Sequence, residues 1–225
     1  MTRFVLVALL GALSLAACAT PNNENAAQRL VDRSTLTVES MMSSSSGPDL
    51  GNTLKSARAV MICPQIFTAG FIIGGSGGGC VLVGRAAAGQ WSAPAFYTIG
   101  SGSLGLQAGV QNSAVMMMIM NDNALRAVIN SQFKIGADAS LAIANFGAGI
   151  GGGTTAALHA DIVTFAENSG LFAGVSLNGA ILSADGGANQ AYYGKPVAAE
   201  AVVIGMQANN PGANPLRAVL ARYGG

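Results

Sequence analysis

Gly70-Phe71-Ile72-Ile73-Gly74-Gly75-Ser76-Gly77-Gly78-Gly79-Cys80-Val81-Leu82-Val83 is the stretch on which the fold turns. Gly74 to Gly78 matches G-x-S-x-G, the sharp turn that in α/β hydrolases presents a nucleophilic serine between a strand and a helix. The next segment, Cys80 to Val83, is instead a short apolar run that reads as strand. The stretch is therefore a glycine-rich hairpin between strands near 70–75 and 79–85, which points to antiparallel β structure. The same texture of short apolar runs separated by Gly, Ser or Asn extends outward. It predicts strands near 59–63, 91–99, 102–110, 113–120, 133–145, 154–166, 170–176 and 179–183.

Helical periodicity frames this β region. From 26 to 42 the apolar positions Ala27, Val31, Val38 and Met42, with Thr35 between, follow steps of three and four, which predicts an amphipathic helix. Ser43 to Gly47 breaks it, and Pro48 suits the first turn of a second, short helix with Leu50, Leu54 and Ala57 on its buried side. Asn121-Asp122 caps a helix whose face is Ala124, Leu125, Val128 and Ile129. The tail carries two or three short helices, including 197–206 and 215–222. The predicted class is α+β: an antiparallel β-sandwich or barrel-like sheet with N-terminal amphipathic helices and short C-terminal helices. No period of 20 to 50 residues repeats, which argues against solenoids and propellers.

Composition narrows the function. Charged residues are 9% of the chain and hydrophobic ones 51%, the reverse of a disordered composition. The 31 glycines suit turns, bulges and close backbone contacts in sheets. At the N-terminus, Phe4 to Leu15 comes after Arg3 and is a hydrophobic run of signal-peptide length, short of the roughly 20 residues a bilayer span needs. It ends in Leu15-Ala16-Ala17-Cys18, which resembles the lipobox of bacterial lipoproteins, where the cysteine carries the acyl chains. The expected organisation is a signal peptide at 1–17, a lipidated tether at 18–25 starting with Cys18, and a single domain at 26–225. Ala19, in place of an aspartate, favours the outer membrane, with the domain facing the periplasm. Cleavage by the general signal peptidase, giving a free exported protein, is the alternative. Removal of the leader takes Arg3 from the 11 basic residues and leaves ten against ten acidic ones. A nucleic-acid-binding face is not indicated.

Candidate chemistry is sparse. A Ser76 nucleophile would need His159, the sole histidine, as its base, and Asp161 two residues on would share the strand face of His159. Residues 100–105 and 147–152 both fit G-x-G-x-x-G, but neither opens a helix in a βαβ unit, so no dinucleotide is expected. Met116-Met117-Met118-Ile119-Met120 reads as core strand, and Trp91 as a packing anchor. No Cys/His cluster supports a metal site, and no cofactor is expected. Cys63 and Cys80 remain in an oxidising compartment, where they form either one disulfide, worth about 3 kcal/mol, or two separately buried thiols.

Between Lys55 and Gly179 the chain resembles the SYLF domain, also called the Ysc84 actin-binding or DUF500 family. The landmarks are Lys55-Ser56-Ala57-Arg58-Ala59-Val60, Ala69-Gly70-Phe71 with the glycine run after it, and Trp91-Ser92-Ala93-Pro94-Ala95-Phe96. Gly105-Leu106-Gln107-Ala108-Gly109 and Gly170-Leu171-Phe172-Ala173-Gly174-Val175-Ser176-Leu177-Asn178-Gly179 complete the set. The resemblance implies a non-catalytic lipid-binding module, since eukaryotic members bind phosphoinositide membranes and some bind actin filaments. Bacterial members look like exported lipoproteins, and no actin partner is expected in a bacterial envelope. The basic residues nearest the matched blocks, Lys55, Arg58, Arg85 and Lys134, are the candidates for contact with anionic phospholipid headgroups. A structural or protein-interaction role in the envelope is the second expectation.

Overall fold

The structure, a computed structural model, describes residues 23–44, 47–70, 73–104, 109–130, 132–138, 140–145, 160–170 and 179–225. Cys18 and His159 lie outside the described residues, as do the strand expected at 154–166 up to residue 159, the one at 170–176 beyond Gly170, and the glycine motif at 147–152.

Two helices, α1 (Asn23–Met42) and α2 (Gly47–Ser56), precede four long strands. These are β1 (Ala59–Gly70), β2 (Ile73–Gly84), β3 (Ala95–Leu104) and β4 (Gly109–Ile119). After α3 (Asp122–Asn130) come β5 (Phe133–Lys134), β6 (Leu141–Asn145), β7 (Ile162–Gly170) and β8 (Ile181–Ala184). The tail holds α4 (Gly186–Tyr193), α5 (Ala199–Val203), a 3-10 turn (Pro211–Ala213) and α6 (Asn214–Gly224). The eight strands form one sheet in the order β5-β8-β3-β2-β1-β4-β7-β6. Every pairing is antiparallel except β6 with β7. The class is α+β. Of the two expected forms, the described residues build the single curled sheet.

Helices cover both faces of that sheet, and strand alternation sorts the core into two layers. Met61, Cys63, Leu82, Tyr97, Val115 and Met117 face α3 and α5. Val60, Ile62, Val81, Phe96, Met116 and Met118 face α1, α2, α4 and α6. Strands buried on two sides read as unbroken apolar runs rather than alternating ones, which is why 115–119 is Val-Met-Met-Met-Ile. The methionines are core, as expected.

The glycine run is the main correction to the sequence reading. It is no hairpin turn: β2 runs straight through it, with Gly77 opposite Phe67 and Gly74 opposite Gly70. Strand β1 runs to Gly70 and its antiparallel partner β2 begins at Ile73. The strands expected at 70–75 and 79–85 are thus one, and β1 extends to Gly70 instead of ending at residue 63. Pro64 made that extension hard to read, because a proline in a central strand removes a ladder hydrogen bond. The register of β1 shifts on both sides between Cys63 and Phe67, so Pro64 and Gln65 sit in a bulge. The bulge explains Gly78, where a Cβ would lie 2.3 Å from the Gln65 carbonyl oxygen. Just before the bulge, Cys63 and Cys80 form a disulfide between β1 and β2.

Smaller differences have local causes. Strands expected at 102–110 and 113–120 resolve into the end of β3 and the whole of β4. The strand expected at 133–145 is broken by a turn at 135–138 in which Gly136 has φ 82°. Asn23 to Asn25, expected in the tether, form the polar first turn of α1, which has no apolar side for a periodicity search to find. Helix α4 was hidden by Gly186-Gly187, although Asp185 caps it by accepting from the Ala188 N–H at 2.9 Å and Gly194 ends it with φ 69°.

Candidate functional site

Where α2 hands the chain to β1, the sequence places Lys55 in the last helical turn and Arg58 just before the strand. Arg58 is held by its backbone: its N–H donates to the Ile119 carbonyl and its carbonyl accepts from Arg85, both at 2.8 Å. Its side chain reaches Asp122, in the first turn of α3. The guanidinium donates from Nε to Oδ1 at 2.8 Å and from Nη2 to Oδ2 at 3.3 Å. This hydrogen bond raises the pKa of Arg58 further and lowers that of Asp122, so the pair stays fully charged.

Arg85 is used differently. Its guanidinium donates to the main-chain oxygens of Lys55, Gly224 and Gly225, the last at 2.7 Å, and stands over the Trp91 ring with 5.5 Å to the centroid. It therefore fastens the ends of α2 and α6 to the sheet through these main-chain oxygens. Trp91 is buried, and its carbonyl accepts from Arg217 Nε at 2.9 Å. It is the packing anchor expected.

Arg58, Arg85 and Asp122 line a surface hollow of about 230 Å³ together with Arg126, Leu125 and Val203. Lys55 is next to it through the carbonyl that Arg85 holds. Lys134 is exposed on the edge strand β5 and does not line the hollow. Three of the four candidate cations are thus brought together and one is not. Arg126 was missed by sequence reasoning, though its position four residues after Asp122 puts both on one face of α3.

The hydrolase reading fails on geometry. Ser76 lies inside β2, with its hydroxyl 2.7 Å from that of Ser101 on β3. Asp161 accepts from the Ser140 N–H at 2.9 Å, the Ser140 hydroxyl at 2.7 Å and Asn121 Nδ2 at 2.7 Å. These bonds lower its pKa, those from Ser140 most, and Asn121 in turn caps α3 through the Ala124 N–H. Ser76 is in register with Thr68, Gln111 and Gly170. Gly170 is nine residues beyond Asp161, or about 30 Å along the strand, far outside any triad. Residues 100–105 open no helix, since 100–104 lie within β3. Among the described residues no group of His, Cys, Asp or Glu could hold a metal ion, and no helix is long and apolar enough to cross a membrane.

The described residues thus present a helix-covered sheet with a cationic hollow beside the start of β1. The family described as Ysc84, Las17-binding protein actin regulator, matches residues 100–223, more than half of the chain. The chain belongs to that family. It is 27% identical over 168 residues to the human SH3 domain-containing YSC84-like protein 1, covering 73% of this chain and 49% of that protein. It is 29% identical over 172 residues to an SH3 domain-containing protein of Schizosaccharomyces pombe, covering 75% and 40%. With Protein YSC84 of Saccharomyces cerevisiae the identity is 28% over 172 residues, covering 74% and 36%. The chain therefore spans half or less of the length of these relatives. The family's description is that of a Las17-binding protein.

Proposed function

We propose that this protein is an outer-membrane lipoprotein, acylated at Cys18, whose SYLF domain associates with phospholipid without catalysing a reaction. The observation that carries the reading is the juxtaposition in one chain of Leu15-Ala16-Ala17-Cys18 with a SYLF domain whose first helix opens at Asn23. Two or more acyl chains anchor a protein stably at a membrane, so the domain works within reach of lipid. The hollow beside Lys55, with three arginines against one aspartate, supports contact with an anionic headgroup. Lys134, at the sheet edge, would act apart from it.

A second reading, an envelope module that binds protein, is favoured by a specific observation. Arg58 already has Asp122, and Arg85 is taken up by three main-chain oxygens. The family's Las17-binding description adds to it. Co-sedimentation of the mature chain carrying Cys18→Ser with vesicles of phosphatidylcholine alone, and with added phosphatidylglycerol, separates the two. Pelleting with vesicles supports the lipid reading. Absence from every pellet would leave the acyl chains as the membrane contact and favour the protein-binding module.

A further inference from the structure

Past Leu30 of α1, the sheet face that carries this helix is exposed at Gly75, Gly77, Gly102, Phe67 and Val110 and forms a shelf. Leu30 of α1 is seated on Gly79, where a Cβ would be 3.0 Å from its Cδ2. Past that point Gly77 pairs with Gly100 and Gly75 with Gly102, so four glycines form one block on a single face of β2 and β3. Nothing among the described residues demands them. A Cβ would meet only ordinary contacts at Gly75, Gly77 and Gly100, the nearest at 3.5 Å, and nothing within 4 Å at Gly102. None of the four has a positive φ. Glycine weakens strand interiors, and its use where a side chain would fit marks a surface that something else approaches.

The neighbouring strands supply relief to this shelf. Phe67 of β1 stands opposite Gly77, which leaves one side of its ring uncovered, and it is 49% exposed. Ala69 stands opposite Gly75 on one side and Val110 of β4 on the other, and Val110 is 57% exposed. The block contains no charge. Arg33 of α1, hydrogen-bonded to Gln65, stands at its margin. From β3 to β4 the shelf is about 15 Å wide and about 10 Å long, roughly 150 Å². A stable protein interface needs about 800 Å² per partner, so a second copy of the chain is a poor fit.

Chain length points to the occupant. Cys18 is five residues before α1, at most about 18 Å of extended chain, and Leu30 is seven residues into the helix, about 10 Å further. An acyl anchor on Cys18 thus keeps the shelf within about 30 Å of the bilayer. We infer that Phe67 and Val110, standing proud of the glycine shelf, insert into the apolar margin of the bilayer and form the domain's own lipid contact. The inference rests on the lipid reading above and adds a surface that recognises apolar lipid rather than headgroup charge.

The test uses the mature Cys18→Ser chain and vesicles of phosphatidylcholine, at low and high salt. The parent binds with little salt dependence, and the double variant Phe67→Ser/Val110→Ser partitions at least tenfold more weakly while its thermal melt is retained. Leu36→Ser, which removes an exposed apolar side chain from α1 outside the shelf, binds like the parent. Undiminished binding by the double variant, or equal loss in Leu36→Ser, overturns the assignment of the surface and leaves the lipid reading standing. Failure of the parent to bind any vesicle, anionic ones included, overturns both.

Discussion

Gly78 and Asp161 show how single residues hold this structure. A Cβ at position 78 would collide with the Gln65 carbonyl of the bulge, and one at Gly84 would lie 2.5 Å from the Val203 carbonyl of α5. Gly78→Ala is expected to cost about 1–3 kcal/mol in urea unfolding, because backbone and not a flexible side chain must give way. The shelf glycines predict the opposite sign: Gly102→Ala leaves stability unchanged or raises it by up to about 1 kcal/mol. Asp161 predicts a pH effect. Its folded pKa lies below its unfolded value, so its contribution is present above about pH 4 and is lost as the pH falls through the folded value. Acid unfolding of Asp161→Asn should therefore show a shallower loss of stability below about pH 4 than the parent. An unchanged acid slope would show that the Ser140 bonds hold no native advantage for the carboxylate. From the sequence, these residues were legible in type and not in role. A glycine that avoids a collision, one that flattens a surface and one that makes a turn are written identically.

At the scale of elements, what the sequence could show depended on whether a segment's pattern was its own or its neighbour's. Helix α3 and the buried face of α1 were found from periodicity because one side of each meets water. The long strands were divided because Pro64 and the glycine run carry the marks of turns, and only pairing with adjacent strands makes them strand interior. The disulfide sits where that pairing changes register. Joining residues 17 apart in sequence, it is expected to contribute about 3 kcal/mol, so Cys63→Ala/Cys80→Ala should unfold at correspondingly lower urea. Because the bridge lies beside the bulge, amide exchange in the double variant should rise most in the outer halves of β1 and β2.

The whole molecule was legible in outline: an α+β fold, with helices before and after the sheet, of the SYLF type. The candidate site was legible only in part. Lys55, Arg58 and Arg85 meet because α2 ends where β1 and β2 lie side by side, an adjacency of strands that no local pattern states. The exposed shelf was invisible, since Phe67 and Val110 look like core until the helices are seen to stop short of them. The most direct test of the lipid contact uses a reporter at this surface. Trp91 is the sole tryptophan and is buried, with 2% of its surface exposed, so Phe67→Trp in the Cys18→Ser chain adds one indole on the shelf. Mixed with phosphatidylcholine vesicles containing brominated acyl chains, its emission is expected to shift to the blue and be quenched, while the parent's is unchanged. Emission from Trp at 67 that stays red-shifted and unquenched, on a chain that co-sediments with the same vesicles, would contradict insertion at this surface.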